Sequence, residues 1–199
     1  MPIPYDIALE YIQKGLHVIP IQSGGKRPIL QDWVNEATND HDTVTSWFKG
    51  KDLNIGIVTG KKSGIIVIDI DTKHNDGRKS IAEQEAKLDC YLPPTVTAKT
   101  QGGGLHLFYK YPADVEKVTG RIGILESVDI RADGNQVVVF PSRGEQGEYT
   151  WVTSPMDSSM ASLPRAWKNF ICGIDEPDTV KIPKRAFRLP VKIPSGMRH

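Results

Sequence analysis

The sequence has 199 residues and is nearly neutral, with 25 lysine and arginine residues against 24 aspartate and glutamate residues and a net charge of +1. Apolar residues make up 39% and charged residues 25%, which excludes a wholly disordered chain, a collagen-like repeat and a coiled coil. No apolar run of about 18 residues is present, so no membrane span is expected, and the N-terminus lacks the features of a signal peptide. Two cysteines, Cys90 and Cys172, are too few for a disulfide scaffold or a four-cysteine zinc site, so a reduced, cytoplasmic setting is expected.

The beginning of the chain predicts a small α/β arrangement. Residues 5–14 carry apolar side chains at the spacing of an amphipathic helix, and Gly15 is expected to end it. Short strands are predicted over residues 17–21 and 54–60. Between them, Asp42 is predicted to cap the start of a second helix.

Strands dominate the rest of the predicted domain. Residues 64–71 are nearly all β-branched, which indicates a buried central strand. The turn Ala132–Asn135 lies between the apolar stretches 128–131 and 136–140, which is a hairpin signal. Together the patterns predict an α+β domain over residues 1–172. Its other predicted elements are helices over 78–88 and 163–172 and strands over 95–100, 105–111 and 149–152.

The remaining segment, residues 173–199, is basic and contains prolines. From Lys181 onward it holds six basic residues, three prolines and no acidic residue. Such a stretch without helical periodicity is typical of a linker, and the alternative is an arm that contacts nucleic-acid phosphates. We expect the chain to be a fragment whose linker leads to a missing downstream segment.

Two acidic residues, Asp69 and Asp71, end the predicted central strand. Because successive strand side chains alternate between faces, both carboxylates are expected on the same side. Two close carboxylates repel each other, and a divalent cation such as Mg²⁺ relieves that repulsion. The alternative is an ordinary strand end with two solvated acids.

Three glycines, Gly102–Gly104, precede a strand that carries His106. A turn without side chains permits a ligand to approach backbone N–H groups closely, as phosphate sites require. His106 is expected on the sheet face opposite Leu105 and Leu107. The alternative is a flexible hairpin with an incidentally exposed histidine.

A third acidic position, Asp129, shares a predicted strand face with Arg131, while Val128 and Ile130 face the other way. Asp129 and Arg131 could simply neutralise each other. With a metal ion nearby, Asp129 becomes a third ligand and Arg131 a contact for a triphosphate or a template. Three carboxylates suit two Mg²⁺ or Mn²⁺ ions in a phosphoryl-transfer site.

The order of these motifs resembles that of the archaeo-eukaryotic primase superfamily. More closely, it resembles the bifunctional primase–polymerase (prim-pol) domain of plasmid and phage replication proteins. An acidic pair follows a strand, a glycine-rich turn precedes a histidine, and a third acid stands on a later strand. The resemblance covers almost the whole chain, and other matching stretches are Gly25–Pro28, Trp33, Asn54–Gly56, Asp129–Gly134, Val138–Ser142 and Gly147–Trp151.

The resemblance implies that Asp69, Asp71 and Asp129 bind catalytic metal and that His106 contacts the phosphates of the incoming nucleotide. It also implies an N-terminal α/β unit packed on an RRM-like antiparallel sheet that carries the motifs. In the family a helical segment and often a helicase lie downstream. The position two before the histidine, often serine in the family, is Gly104 here, which removes a possible hydroxyl contact.

The predicted activity is template-directed nucleotidyl transfer from a dNTP or NTP to a primer on single-stranded DNA, in plasmid or phage replication, with Mg²⁺ or Mn²⁺ as the cofactor. The phosphates are expected to be bound by side chains and by N–H groups of the glycine turn, namely His106, Arg131, Gly103 and Gly104. Weaker candidates for nucleotide or template contacts are Lys26, Arg27 and Asn54.

Two other functions stay open on the residues alone. A metal-dependent glycosyltransferase also has an acidic pair at a strand end, where the pair holds the diphosphate of a nucleotide sugar. A non-catalytic single-strand binder on an RRM-like sheet would instead carry paired aromatic residues on the sheet face for base stacking. The corresponding positions here carry acids and a histidine, which argues against the binder.

Overall fold

The computed structural model of the protein describes residues 4–174, which form an α+β fold built around two main sheets, with a third sheet of only two short strands. Of the predicted basic linker, residues 175–199 lie outside the described part of the chain. No helix between residues 4 and 174 has the length and apolar character needed to cross a membrane. The elements are α1 (Pro4–Gln13), β1 (Val18–Ile21), α2 (Trp33–Glu36), α3 (His41–Phe48), β2 (Asn54–Val58), β3 (Ile65–Ile70), α4 (Gly77–Leu88), β4 (Val96–Lys99), β5 (Leu105–Lys110), β6 (Arg121–Leu125), β7 (Val128–Arg131), β8 (Gln136–Val139), β9 (Arg143–Gly144), β10 (Gly147–Glu148), β11 (Thr150–Thr153), β12 (Ala161–Ser162) and α5 (Arg165–Cys172).

The larger sheet has the order β11-β4-β5-β3-β7-β6, with the short strand β12 beside β5. β3 and β4 both pair antiparallel with β5, so they run parallel to each other, and helix α4 lies between them in the chain. The central strands β4-β5-β3-β7 with this crossover form the expected RRM-like antiparallel sheet. β3 is the central strand that its β-branched sequence predicts, and Asp69 is its one residue that is not fully buried.

The smaller sheet, β1-β2-β8, belongs to the N-terminal unit, together with α1, α2 and α3. Its third strand, β8, comes from much later in the chain than the other two. The predicted hairpin across Ala132–Asn135 is therefore wrong, because β7 pairs with β3 and β6 whereas β8 pairs with β2. The turn exists, with the Asn135 N–H donating to the Ala132 carbonyl at 3.2 Å, but it passes the chain from one sheet to the other.

Two further details differ from the sequence prediction. The N-cap of α3 is Asp40 rather than Asp42, and Oδ1 of Asp40 accepts the Thr43 N–H at 2.9 Å. Asp42 lies in the first turn instead, where the helix dipole also favours an acidic side chain. The edge strand β6 was not predicted from the sequence, and none of its five residues is fully buried.

Two apolar layers cover the two faces of the larger sheet. The first, which we call the inter-sheet core, lies between this sheet and the N-terminal unit and includes Tyr11, Phe48 and Phe108. The second, the helix-side core, includes Ile81 of α4 and Trp167 of α5. Alternate residues of β3 reach both layers, with Ile65 and Val67 in the inter-sheet core and Ile66, Ile68 and Ile70 in the helix-side core.

Asp133 anchors the turn that connects the two sheets. Its Oδ1 accepts the Lys61 N–H at 2.8 Å, and its Oδ2 accepts the Val118 N–H at 2.9 Å and the Tyr111 hydroxyl at 2.8 Å. Gly60 packs so closely that a Cβ there would stand 2.3 Å from Asp133 Oδ1. Burial alone would raise the pKa of Asp133, but these hydrogen bonds outweigh burial and hold the pKa below its usual value.

We expect Asp133→Asn to lower the free energy of unfolding by about 2 kcal/mol, because an amide nitrogen cannot accept and leaves one N–H donor unpaired. The lowered pKa means that the carboxylate's stabilisation is complete above its ordinary pKa and is lost as pH falls through the lowered value. The difference in the free energy of unfolding between wild type and variant should therefore become smaller below about pH 4. Urea unfolding between about pH 7 and pH 3 measures this.

The exposed Glu145 offers a matched control, since Glu145→Gln makes the same chemical change outside this network and should unfold like wild type. A difference for Asp133→Asn that stays constant with pH would contradict the role given to the carboxylate.

Candidate active site

Strand register brings three predicted site residues side by side on one face of the larger sheet. Asp69 of β3 lies opposite His106 of β5 and opposite Asp129 of β7. Side chains directly opposite on neighbouring strands share a face, so all three point towards the N-terminal unit. Two residues back along β3, Val67 lies opposite Arg131. On this face, the side chains of β3 thus change from apolar to charged over two residues.

Arg131 joins the two carboxylates. Its Nη2 donates to Asp69 Oδ2 at 2.9 Å and to Asp129 Oδ2 at 2.7 Å, and its Nε donates to Asp69 Oδ2 at 3.2 Å. On the other side, His106 Nε2 stands 3.3 Å from Asp69 Oδ1. Burial alone would raise the pKa of Asp69, but His106 and Arg131 outweigh burial and lower it to about 2. Asp69 is therefore ionised at neutral pH.

His106 is built into the sheet rather than exposed. Its side chain is 8% exposed, and its ring packs against Phe108 and Tyr149 with centroid distances of 6.3 Å. Leu105 and Leu107 pack on the helix-side core, on the opposite face as predicted. The Nδ1 atom of His106 is buried without a hydrogen-bond partner among residues 4–174. The alternative of a flexible hairpin with an exposed histidine does not hold.

Asp71 lies in the turn just beyond β3 and is exposed. Its N–H donates to the Ser127 carbonyl at 2.9 Å, which ties the end of β3 to the start of β7. Its Oδ1 accepts the N–H of Lys73 at 2.8 Å. Asp71 and Asp69 line the same cavity, as their spacing predicts, but Asp71 does so from the rim.

The glycine turn has a packing requirement at Gly104. A Cβ at this position would stand 2.5 Å from the Ile70 carbonyl oxygen, so β5 approaches β3 more closely than any side chain permits. Gly102 and Gly104 line the cavity. Gly103 has a φ of +88°, lies exposed in the turn and donates its N–H to the Thr100 carbonyl at 2.9 Å.

The charged side chains line a cavity of about 310 Å³, and a smaller cavity of about 190 Å³ lies beside it. Lys26 and Tyr149 line both cavities. Burial raises the pKa of Tyr149, and the charge of Asp69 adds to this. Lys73 lies over the glycine turn, and its Nζ stands 3.6 Å from where a Cβ of Gly102 would be. Lys73 is not among the residues predicted from the sequence, where the available signal is a cation two residues after the acidic pair.

The weaker candidates from the sequence, Lys26, Arg27 and Asn54, differ in their positions relative to the cavity. Lys26 lines the cavity, whereas the exposed Arg27 is not among its lining residues. Asn54 is buried, and its Nδ2 donates to the carbonyls of Gly25 at 2.9 Å and Arg143 at 2.7 Å. Asn54 thus fixes the loop that carries Lys26 instead of facing the cavity itself.

The acidic residues suit a hard divalent cation in their chemistry, since Asp69, Asp71 and Asp129 all line the cavity with carboxylate oxygens. Among residues 4–174, however, no group of three or more His, Cys, Asp or Glu side chains is arranged to hold a metal ion. Instead, the Arg131 guanidinium lies between two of the carboxylates and donates to the Oδ2 atoms of both Asp69 and Asp129.

Comparisons with known proteins bear on this arrangement. The model of the family "Bifunctional DNA primase/polymerase, N-terminal" matches residues 8–166, a span that includes Asp69, Asp71, His106, Asp129 and Arg131. A comparison with curated proteins gave no match. Members of this family are generally nucleotidyltransferases that depend on divalent metal ions. Because the match spans most of the sequence, the chain belongs to the family of bifunctional DNA primase/polymerase N-terminal domains.

Proposed function

We propose that this domain is the catalytic unit of a DNA primase–polymerase. It joins nucleotides from dNTPs or NTPs to the 3′ end of a primer, directed by a single-stranded DNA template, in plasmid or phage replication. The observation that carries the proposal is the register of three strands, which sets Asp69 between His106 and Asp129 above a cavity lined also by Lys26 and Lys73.

The proposed reaction is attack of the primer 3′-hydroxyl on the α-phosphorus of the nucleotide. An O–P bond to the primer forms, the bond from the α-phosphorus to the bridging oxygen breaks, pyrophosphate leaves and the hydroxyl proton passes to water. Asp69, Asp71 and Asp129 would hold Mg²⁺ or Mn²⁺, which supplies Lewis acidity for the hydroxyl and the leaving group.

The remaining groups bind the triphosphate. His106 and Arg131 supply hydrogen-bond donors from the sheet face, and the glycine turn supplies backbone from the rim at Gly102 and Gly104. The Gly103 N–H is not available to a phosphate, because it is donated to the Thr100 carbonyl. Lys73 and Lys26 add two cations from the rim of the cavity. Arg and Lys donors to phosphate make charge-assisted hydrogen bonds, which are about twice as strong as neutral ones.

The sheet face also bears on the alternative functions. A single-strand binder on an RRM-like sheet stacks bases on exposed aromatic rings, whereas the central strands here present Asp69, His106 and Asp129. The substrate distinguishes a glycosyltransferase from a polymerase, because a glycosyltransferase would transfer sugar from a UDP-sugar and would not incorporate dNTPs.

We also propose the domain limits. Residues 1–172 would form the catalytic domain, and residues 173–199 a basic linker to downstream helical and helicase domains of the same polypeptide. The proposal for the linker rests on its six basic residues and three prolines from Lys181 onward, since residues 175–199 lie outside the described part of the chain.

Replacing any one of the three carboxylates should remove primer extension while the fold persists. We expect Asp69→Ala, Asp71→Ala and Asp129→Ala each to lower the rate roughly 100-fold or more, as for other strong electrostatic groups at a reaction centre. The measurement is extension of a labelled primer on a single-stranded template with Mg²⁺ or Mn²⁺. Glu83→Ala, an exposed acid on α4, is the matched control and should extend like wild type.

Circular dichroism in EDTA checks that each variant is folded. Near-wild-type extension by Asp69→Ala and Asp71→Ala would overturn the metal assignment, and sugar transfer without dNTP incorporation would replace the proposed activity.

Loss of Lys73 should weaken nucleotide binding without disturbing the fold, because its side chain is exposed at the cavity rim. We expect Lys73→Ala to raise the KM for the nucleotide roughly tenfold, the effect of one lost charge-assisted hydrogen bond.

His106→Asn should retain part of the activity lost in His106→Ala, since the asparagine side chain can still donate a hydrogen bond to a phosphate. Steady-state extension at varied dNTP concentration measures both effects.

Lys79→Ala is the matched control, because Lys79 is an exposed lysine on α4 outside the cavity lining. If Lys73→Ala and Lys79→Ala have the same KM, Lys73 does not contact the triphosphate.

A further inference from the structure

Every oxygen of the Asp69 and Asp129 carboxylates already faces a donor. Asp69 Oδ1 faces His106 Nε2 at 3.3 Å, and Asp69 Oδ2 accepts two N–H groups of Arg131. Asp129 Oδ1 accepts the Gly123 N–H at 2.7 Å, and Asp129 Oδ2 accepts Arg131 Nη2 at 2.7 Å. A divalent cation that binds between the two carboxylates therefore competes with Arg131, whose guanidinium lies between their Oδ2 atoms.

Arg131 is the partner that gives way most easily. The Gly123 donor is a backbone group of the neighbouring strand β6, and His106 is fixed by the rings of Phe108 and Tyr149. The Arg131 side chain is instead 29% exposed, ends a long flexible stem and lines both cavities. It also repels an entering cation, because two positive charges a few ångströms apart repel each other in a protein site.

The same cavity offers the guanidinium another anion when nucleotide is bound. A triphosphate carries several negative oxygens, and an arginine fork binds phosphate as readily as it binds carboxylate. Movement of Arg131 from the carboxylates to a phosphate would leave the Oδ2 atoms of Asp69 and Asp129 free for the cation. The positive charge would be transferred within the cavity rather than lost to solvent.

We propose that Arg131 couples divalent-cation binding to triphosphate binding. In the structure it is the counter-ion of Asp69 and Asp129, and nucleotide draws it away so that the carboxylates accept the cation. This inference rests on the proposed function, because it takes a triphosphate and a divalent cation as the ligands. Linkage makes the effect reciprocal, so each ligand favours the other.

The test measures Mn²⁺ binding without nucleotide, from the loss of the free Mn²⁺ signal in electron paramagnetic resonance. Arg131→Met should bind Mn²⁺ at least about tenfold more tightly than wild type, a difference of about 1.4 kcal/mol. Arg131→Gln, which keeps neutral donors and serves if the methionine variant does not fold, should change the affinity in the same direction. Adding Asp69→Asn to either variant should abolish the gain in Mn²⁺ affinity.

Arg78→Met controls for the change in net charge. Arg78 also pairs with an aspartate, Asp76, at 2.7 Å, but its side chain is 64% exposed and lies outside the cavity lining. Its Mn²⁺ affinity should match that of wild type within about twofold.

The outcomes separate this inference from the proposed function. Equal Mn²⁺ affinity in wild type and both Arg131 variants would overturn the coupling and leave the metal site standing. Loss of stability in the Arg131 variants with no gain in affinity would mean a purely structural ion pair. If no variant binds Mn²⁺, the coupling and the proposed metal site both fail.

Discussion

The site depends on a carboxylate placed near the end of a buried strand. Asp69 is the only residue of β3 that is not fully buried, and β3 is the central strand of the larger sheet. A half-buried carboxylate loses part of its hydration, so the neighbouring strands must supply partners. His106 on β5 and Arg131 on β7 do so from the two sides, and together they hold the pKa of Asp69 at about 2.

This arrangement makes one sheet face serve two purposes. Val67 of β3 and Phe108 of β5 lie opposite each other in the inter-sheet core. Two residues further along β3, the opposite pair is Asp69 and His106, which belong to the charged cluster. The cavity therefore lies where the inter-sheet core ends. Its other wall comes from the N-terminal unit, where Asn54 holds the loop that carries Lys26. Packing and chemistry share a boundary, so the rigid core positions the charged groups.

The charges of the cluster nearly balance without a ligand. Two carboxylates and one guanidinium leave a single negative charge, to which the exposed Asp71 adds another at the rim. Lys26 and Lys73 lie around the same cavity. The coupling proposed for Arg131 would make this site accept a polyanion and a small cation together more readily than either alone, because each supplies the counter-charge that the other lacks. That property agrees with the family to which the chain belongs and with the nucleotidyl transfer proposed for it.

Local pattern was sufficient for much of this protein. The β-branched run predicted β3, the alternation around Leu105 and Leu107 predicted which face carries His106, and the order of acids and glycines identified the family. These features depend only on the period of a strand, which places every second side chain on the same face. Sequence could not predict that β7 and β8 enter different sheets, because the turn between them has the residues of a hairpin and partner choice depends on distant strands. Nor could it predict that Arg131 lies between two carboxylates or that Lys73 covers the glycine turn, since both require the register that folding sets between β3, β5 and β7. Strand identity is thus a local property of this chain, whereas the contacts that give the site its charge balance are decided by long-range pairing.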